Sequence, residues 1–254
     1  MIRLWREWRR KRALDSIHID AGQWQRVEAR LPFLGHLSPA DRQRLRDMAC
    51  EFVATKEWNG ARGLQLNADI QLAVALQACL LVLNLGLDWY RDWVGIVVYP
   101  GDFVIPRQTL DDAGVVHEYD DEVLGEAWQG GPVLVSWFDA PEEPGGINVV
   151  IHEFAHKLDM SSGEVDGLPR LHEGMSRRDW IAAFEPAFED FRRRVDGGED
   201  TRLDPYAAEH PAEFFAVMSE AFFGTPRLLC AEYPQVYAQL KLFYRQDPSG
   251  TMTR

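Results

Sequence analysis

His152-Glu153-Phe154-Ala155-His156 decides the fold, because the pattern H-E-x-x-H has a defined chemistry when a helix carries it. Residues four apart share one face of a helix, so His152 and His156 can present ring nitrogens to one ion. Glu153 lies roughly a quarter turn away, where its carboxylate can reach a water on that ion. Zinc lowers the pKa of such a water to about 7. The stretch therefore predicts two metal ligands and the general base of a metallopeptidase.

The flanking residues predict that the motif does lie on a helix. Val133 to Trp137 is a β-branched, apolar run that predicts a strand upstream of the motif. Asn148 is a helix-capping residue type. The positions around the motif are apolar: Val149, Val150, Ile151, Phe154, Ala155 and Leu158. The opposing interpretation is a core helix with two incidental histidines, which would bury three polar side chains without partners at a high free-energy cost.

A third metal ligand has to come from elsewhere in the chain. A metzincin would place Gly and then His soon after the second histidine, but Asp159 and Ser162 stand there, which excludes that class. The other usual solution is a glutamate on a later helix. Asp204-Pro205 predicts a short helical turn, and Pro211 predicts the start of a helix that runs to Gly224.

Glu213 and Glu220 lie on one face of that second helix, whose other positions are almost wholly apolar. A carboxylate directed inward there needs a metal or a donor. For Glu213 the spacing is equally consistent with a zinc ligand and with a first-turn glutamate that satisfies backbone N–H groups. For Glu220 it is equally consistent with a group that orients a ligand histidine and with a helix-surface carboxylate.

Longer strings around these residues resemble a known family. The strings are Asn148 to Asp159, Asp204 to Ala208, Ala212 to Val217 with Ser219-Glu220, Leu31 to Leu34, Val98 to Gly101, Pro132 to Trp137, Asp166 to Pro169 and Phe243 to Pro248. Together they are similar to the Mlc titration factor A family of bacterial zinc peptidases, over nearly the whole chain.

The resemblance implies a gluzincin, in which His152, His156 and Glu213 bind Zn²⁺. It implies that Glu153 activates water and that Tyr206 helps to stabilise the tetrahedral intermediate. It also implies aminopeptidase-type activity on peptides and a link to a glucose-responsive repressor of sugar-transport genes.

Three further side chains have two interpretations each. The phenol of Tyr206 can donate to a developing oxyanion, or it can be half-buried with its hydroxyl on a carbonyl. His210 can be a second donor or a solvated loop histidine before Pro211. Asp159 can orient a ligand histidine, or it can interact with Lys157 and the local backbone.

Composition indicates a folded enzyme without direct nucleic-acid contact. The 254 residues are 46% hydrophobic, which predicts one domain over 1–254, in which two lobes (about 1–160 and 161–254) would meet at the active site. The formal net charge of −13 opposes binding to phosphates. The one basic stretch, Ile2 to Arg12, lacks the features of a secretory signal, so we expect a cytoplasmic protein.

The remaining patterns predict a helix-rich α+β fold of the zincin type, with a small mixed sheet beside the active-site helix. Residues up to about Leu87 are predicted to be helical, with Ile70 to Leu87 a buried core helix and no transmembrane segment. Strands are predicted at Val94 to Tyr99, Phe103 to Ile105 and Val133 to Trp137. We expect the last of these to be an edge strand that pairs with an extended substrate. The three cysteines are expected to be reduced core residues.

Two functional hypotheses follow. The first is a zinc-dependent peptidase, and the second is a non-catalytic regulatory protein that sequesters a transcriptional repressor. Glu153 favours the enzyme, because a pure binding protein does not need a general base beside two metal ligands.

Overall fold

Helices form most of the fold, and one of them carries the motif. The computed structural model describes residues 19–110, 116–123, 125–138 and 148–250. The α-helices are α1 (Ala21–Ala29), α2 (Pro39–Thr55), α3 (Ala68–Leu81), α4 (Val149–Asp159), α5 (Arg177–Asp196), α6 (Pro211–Gly224), α7 (Pro226–Glu232) and α8 (Pro234–Tyr244). Short 3₁₀ helices lie at Pro32–His36, Leu87–Tyr90, Met160–Ser162 and Pro205–Ala208.

A four-stranded mixed sheet lies beside the motif helix. Its strands are β1 (Glu57–Gly60), β2 (Gly95–Pro100), β6 (Val133–Trp137) and β5 (Gly125–Ala127), in that spatial order. β1, β2 and β6 are parallel, and β5 is antiparallel to β6. Two further strands, β3 (Phe103–Leu110) and β4 (Val116–Val123), form a separate antiparallel hairpin. The prediction of a helix-rich α+β fold with a small mixed sheet is confirmed.

Two predictions about strands are wrong. Val133 to Val135 of β6 pair with β2 on one side and with β5 on the other, so this part of β6 is not a sheet edge. The outer strand beside the motif helix is β5 instead. Glu57–Gly60 was included in a helical region, but these residues form β1 because their backbone pairs in parallel with β2.

Aromatic packing fixes the motif helix against the first part of the chain. All residues of α4 are buried. Phe154 lies 5.8 Å from the ring of Phe52, 5.4 Å from Tyr90 and 5.7 Å from Trp93, measured between ring centroids. Tilted and edge-to-face arrangements at such distances are the favoured geometry of aromatic pairs. The helix is thereby held by its apolar face, and the motif side chains are left on the other.

α6 packs against α4 and carries the two glutamates. Its phenylalanines are buried, and Phe214 contacts Phe184, Phe188 and Phe191 of α5. This packing leaves Glu213 and Glu220 facing α4. The arrangement of 1–160 and 161–254 as two lobes stays a prediction.

Other predictions concern burial. The buried core helix is confirmed as α3, with every residue from Leu72 to Leu81 buried, but it ends at Leu81 and not at Leu87 as predicted. No helix in the described part of the chain is long and apolar enough to cross a membrane. The cysteine prediction holds for Cys79 only, since Cys50 is partly exposed and Cys230 is exposed. The basic stretch Ile2 to Arg12 lies outside the described residues.

Candidate metal centre

Helix α4 brings both histidines of the motif to one side. It begins after Asn148, whose side-chain oxygen accepts a hydrogen bond from the Ile151 N–H at 2.9 Å. The side chains of His152 and His156 are 11% and 10% exposed, and their rings lie 4.8 Å apart between centroids. The cap, the helix spacing and the buried face therefore agree with the sequence prediction.

Three ligand-type atoms converge at this point. His152 Nε2 and His156 Nε2 are 3.1 Å apart, and Glu213 Oε2 lies 3.0 Å from the first and 3.2 Å from the second. Bonds of about 2.0–2.1 Å at tetrahedral angles place two zinc ligands roughly 3.3 Å apart. These three residues form the one group of that kind in the described part of the chain that could hold a metal ion.

The position of Glu213 distinguishes between its two interpretations. The first turn of α6 is capped by His210, whose Nδ1 accepts a hydrogen bond from the Ala212 N–H at 3.2 Å. The carboxylate of Glu213 instead points to both imidazoles. His210 is thus a helix cap with an exposed side chain, a role that neither of its predicted interpretations included.

Glu220 contacts the far side of one histidine. Its Oε1 lies 2.6 Å from His152 Nδ1, and its Oε2 accepts a hydrogen bond from the Asn148 N–H at 2.7 Å. An ionised carboxylate can only accept, so Nδ1 donates in this pair, and Nε2 is the atom that faces Glu213 and His156. This is the orienting role that the sequence left open, and not that of a surface carboxylate.

Glu153 is a buried carboxylate with an unused oxygen. The residue is 5% exposed, and its Oε2 has no hydrogen-bond partner among the described residues. Burial raises its pKa to about 8; the nearby His152 acts in the opposite direction, and the charges of Glu213 and Glu220 add to the increase. A carboxyl group whose pKa lies near neutrality is suited to exchange protons during a reaction.

The pKa values of the facing groups shift in opposite directions. Burial lowers the pKa of His152, but hydrogen bonds to Glu213 and Glu220 outweigh burial and raise it. Burial raises the pKa of Glu213, but the hydrogen bonds with both imidazoles hold it well below its usual range. Both shifts follow from the close approach of carboxylate oxygens to imidazole nitrogens.

Tyr206 and Asp159 lie at the edge of this cluster. Tyr206 is on the 3₁₀ helix Pro205–Ala208, is 47% exposed, and has its ring centroid 6.2 Å from that of His152. Asp159 accepts a hydrogen bond from the Gly167 N–H at 2.9 Å, which agrees with its local-backbone interpretation. The Nδ1 of His156 has no hydrogen-bond partner among the described residues.

Two contacts between the motif helix and the sheet region had no signal in the sequence pattern. Gly125 of β5 lies against Glu153, so that an added Cβ would come 2.5 Å from its Cγ and Oε1. Lys157 donates hydrogen bonds to the carbonyls of Trp128 and Gly131 in the turn between β5 and β6. Lys157 directly follows the motif, but nothing in the spacing connects it with residues 26 to 29 positions earlier.

A helix-rich α+β protein with a buried His-His-Glu cluster that can hold a metal has the architecture of a metallopeptidase. The family model described as glucose-regulated metallo-peptidase M90 matches residues 5–245, and the chain belongs to that family. It is 36% identical over 230 residues to Mlc titration factor A of Klebsiella pneumoniae (strain 342), which covers 89% of this chain and 86% of that protein. It is 35% identical over 240 residues to Mlc titration factor A of Yersinia pestis (strain Pestoides F), at 91% and 87% coverage. The predicted family resemblance is confirmed.

Proposed function

We propose that this protein is a zinc-dependent peptidase of the gluzincin type, with a zincin-like fold and with His152, His156 and Glu213 as the metal ligands. The observation that carries the proposal is the convergence of their three atoms within 3.2 Å of one another beside the buried Glu153. Two imidazole nitrogens and one carboxylate oxygen are a donor set that suits zinc. When bound, zinc acts as a Lewis acid and makes water nucleophilic at neutral pH.

Glu153 is the proposed general base. Its free Oε2 accepts a proton from the attacking water, and the same atom returns that proton to the leaving amine. Glu220 keeps the proton of His152 on Nδ1, which leaves Nε2 to the metal. Tyr206 is the proposed donor to the oxyanion of the attacked carbonyl, since its ring lies beside His152 and its side chain is accessible.

The proposed substrate is a peptide with a free amino terminus. Glu126 of β5 adds to the negative field at Glu153. Such a field attracts the ammonium group of a peptide end, which supports aminopeptidase-type cleavage. We propose β5, and not the predicted β6, as the strand beside the substrate, because β5 is the outer strand next to α4.

Metal analysis with a chelation series tests this function. Purified protein should contain about one zinc per chain, lose peptide hydrolysis on chelation, and regain it when zinc is restored. Protein that hydrolyses peptides equally well with and without bound metal would contradict the proposal.

The name of the relatives favours a second function. Mlc titration factor A denotes an action on Mlc, and we propose that this chain likewise binds a repressor of sugar-transport genes in the cytoplasm. A chain at −13 gains little from DNA phosphates, so it would act on the repressor and not on the operator.

A pull-down tests this second function independently of catalysis. The Glu153→Gln protein should capture the repressor from an extract of the native organism as well as the unsubstituted protein does. If neither protein captures a repressor while peptidase activity is intact, the regulatory function is excluded and the peptidase alone is supported.

A further inference from the structure

The outer strand of the sheet touches the proposed base directly. An alanine Cβ at Gly125 would lie 2.5 Å from Cγ and Oε1 of Glu153 and 2.7 Å from its Cδ. Carbon atoms at such distances overlap, so either the strand or the carboxylate would have to move. The Glu153 carboxylate can therefore lie where it does only because residue 125 has no side chain.

The same strand is attached to the motif helix at a second point. Lys157 is 4% exposed, and its ammonium donates to the carbonyls of Trp128 and Gly131, the latter at 2.8 Å. Both acceptors belong to the turn that joins β5 to β6. A charged donor on two carbonyls makes a stronger attachment than neutral hydrogen bonds do.

Lys56 offers a close structural match to Lys157. The Nζ atoms of Lys56 and Lys157 lie 3.7 Å and 5.0 Å from the centroid of the Trp93 ring. Lys56 also donates to two carbonyls, those of Tyr90 and Trp93. The two lysines thus share a ring and a bonding pattern, but the acceptors of Lys56 lie outside the β5–β6 turn.

We propose that the segment from Gly125 to Gly131 is a positioning element for Glu153, in which Gly125 fixes the carboxylate and Lys157 fixes the segment. The proposal rests on the peptidase function, because it assigns these residues to the placement of the base. Neither residue touches the ligand-type atoms of the metal centre, so their substitution should leave metal binding intact.

A stability cycle tests the contact without reference to activity. Gly125→Ala should lower Tm by about 3 °C or more in the unsubstituted protein, and by much less in a Glu153→Ala background, where the overlapping atoms are gone. Gly35→Ala is the matched control, because a Cβ at Gly35 meets nothing within 4 Å. Equal Tm changes from Gly125→Ala in both backgrounds would overturn the proposal, whether or not the protein is a peptidase.

Kinetics test the positioning. Gly125→Ala should lower kcat about tenfold or more with KM and zinc content nearly unchanged, since a misplaced base loses its effect on the proton transfer. In a Glu153→Gln background the same substitution should lower kcat hardly any further. An equal loss of kcat in both backgrounds would contradict the proposal, whereas an inactive, zinc-loaded unsubstituted protein would contradict the peptidase function instead.

The two lysines provide the second comparison. Lys157→Met should speed hydrogen exchange at the amides of Trp128 and Gly131 and lower kcat per bound zinc, while Lys56→Met should lower Tm without either change. Arginine at position 157 should restore part of kcat, because it keeps a charged donor. If Lys157→Met and Lys56→Met have the same effect on kcat and on hydrogen exchange, Lys157 is not a positioning residue.

Discussion

Two charge clusters in this molecule, the first partly exposed and the second mostly buried, use similar side chains in different ways. In the first, Glu28 accepts hydrogen bonds from Arg42 at 2.9 Å and from Arg46 at 2.6 Å. Burial raises the pKa of Glu28, but the two arginines outweigh burial and lower it. In the second, Glu153, Glu213 and Glu220 surround two histidines, and no arginine or lysine among the described residues donates a hydrogen bond to these carboxylates.

The difference separates a structural cluster from a functional one. Carboxylates matched by fixed cations stay ionised and tie α1 to α2. In the second cluster, burial raises the pKa of Glu153 to about 8, and the charges of the neighbouring carboxylates add to the increase. Its Oε2 has no hydrogen-bond partner among the described residues. The lack of a lysine or arginine partner among the described residues supports the metal that we propose at the second cluster.

The largest effect is expected from Glu153→Gln. The substitution keeps the shape of the side chain and removes its basicity, so zinc should stay bound while peptide hydrolysis falls by about two orders of magnitude or more. Zinc content and kcat/KM measured on one preparation check this. Activity close to that of the unsubstituted protein would show that the base is another group.

Glu213→Ala and Glu220→Ala should separate a ligand from the residue that orients it. Glu213→Ala should lose most of the zinc during purification, because one of three protein ligands is gone. Glu220→Ala should keep its zinc but bind it about 10–100-fold more weakly in a chelator competition. Equal zinc retention in the two proteins would remove Glu213 from the ligand set.

Tyr206→Phe tests a group that acts only in the transition state. It should lower kcat about tenfold or more, with little change in KM or in zinc content. A loss confined to KM would instead assign Tyr206 to substrate binding.

Glu28→Gln is expected to lower the free energy of unfolding by about 1–3 kcal/mol, because it weakens two charged hydrogen bonds. It should leave activity unchanged, because the candidate metal centre is intact. The pKa of Glu28 in the folded protein lies below its ordinary value of 4.5. Its contribution to the free energy of unfolding is therefore complete above pH 4.5 and is lost as the pH falls through the folded pKa. Urea unfolding at pH 7 and at pH values below 4.5 should show the difference between the two proteins shrinking with acidity. An altered kcat at pH 7 would contradict the structural role.

The elements of the candidate metal centre were largely predictable, because local signals specify them. Asn148 is a typical cap, the motif has helical spacing, and Pro211 with Gly224 brackets α6. Spacing also placed Glu213 and Glu220 on one face. It could not decide which carboxylate meets which nitrogen, since that depends on how α6 packs against α4.

The sheet was predicted less well, because its decisive strands are short. β5 has three residues and β1 has four, and neither alternates clearly between apolar and polar positions. β5 forms because it pairs with β6, and β1 forms because it pairs with β2. The sequence of one short strand does not show which strand will pair with it. For the same reason the contact of Gly125 with Glu153, 28 positions later, had no local signal.

Glu220 joins parts of the chain that are far apart in sequence. His152 and Asn148 precede it by 68 and 72 residues, so a loop of that length has to close before either hydrogen bond forms. Closing such a loop costs roughly 4 kcal/mol of chain entropy on top of a constant. The Asn148 amide lies at a helix start, where amides often exchange rapidly, but here it donates to a carboxylate on α6. Its exchange rate should therefore report the opening of the long loop, and not the local fraying of one helix end.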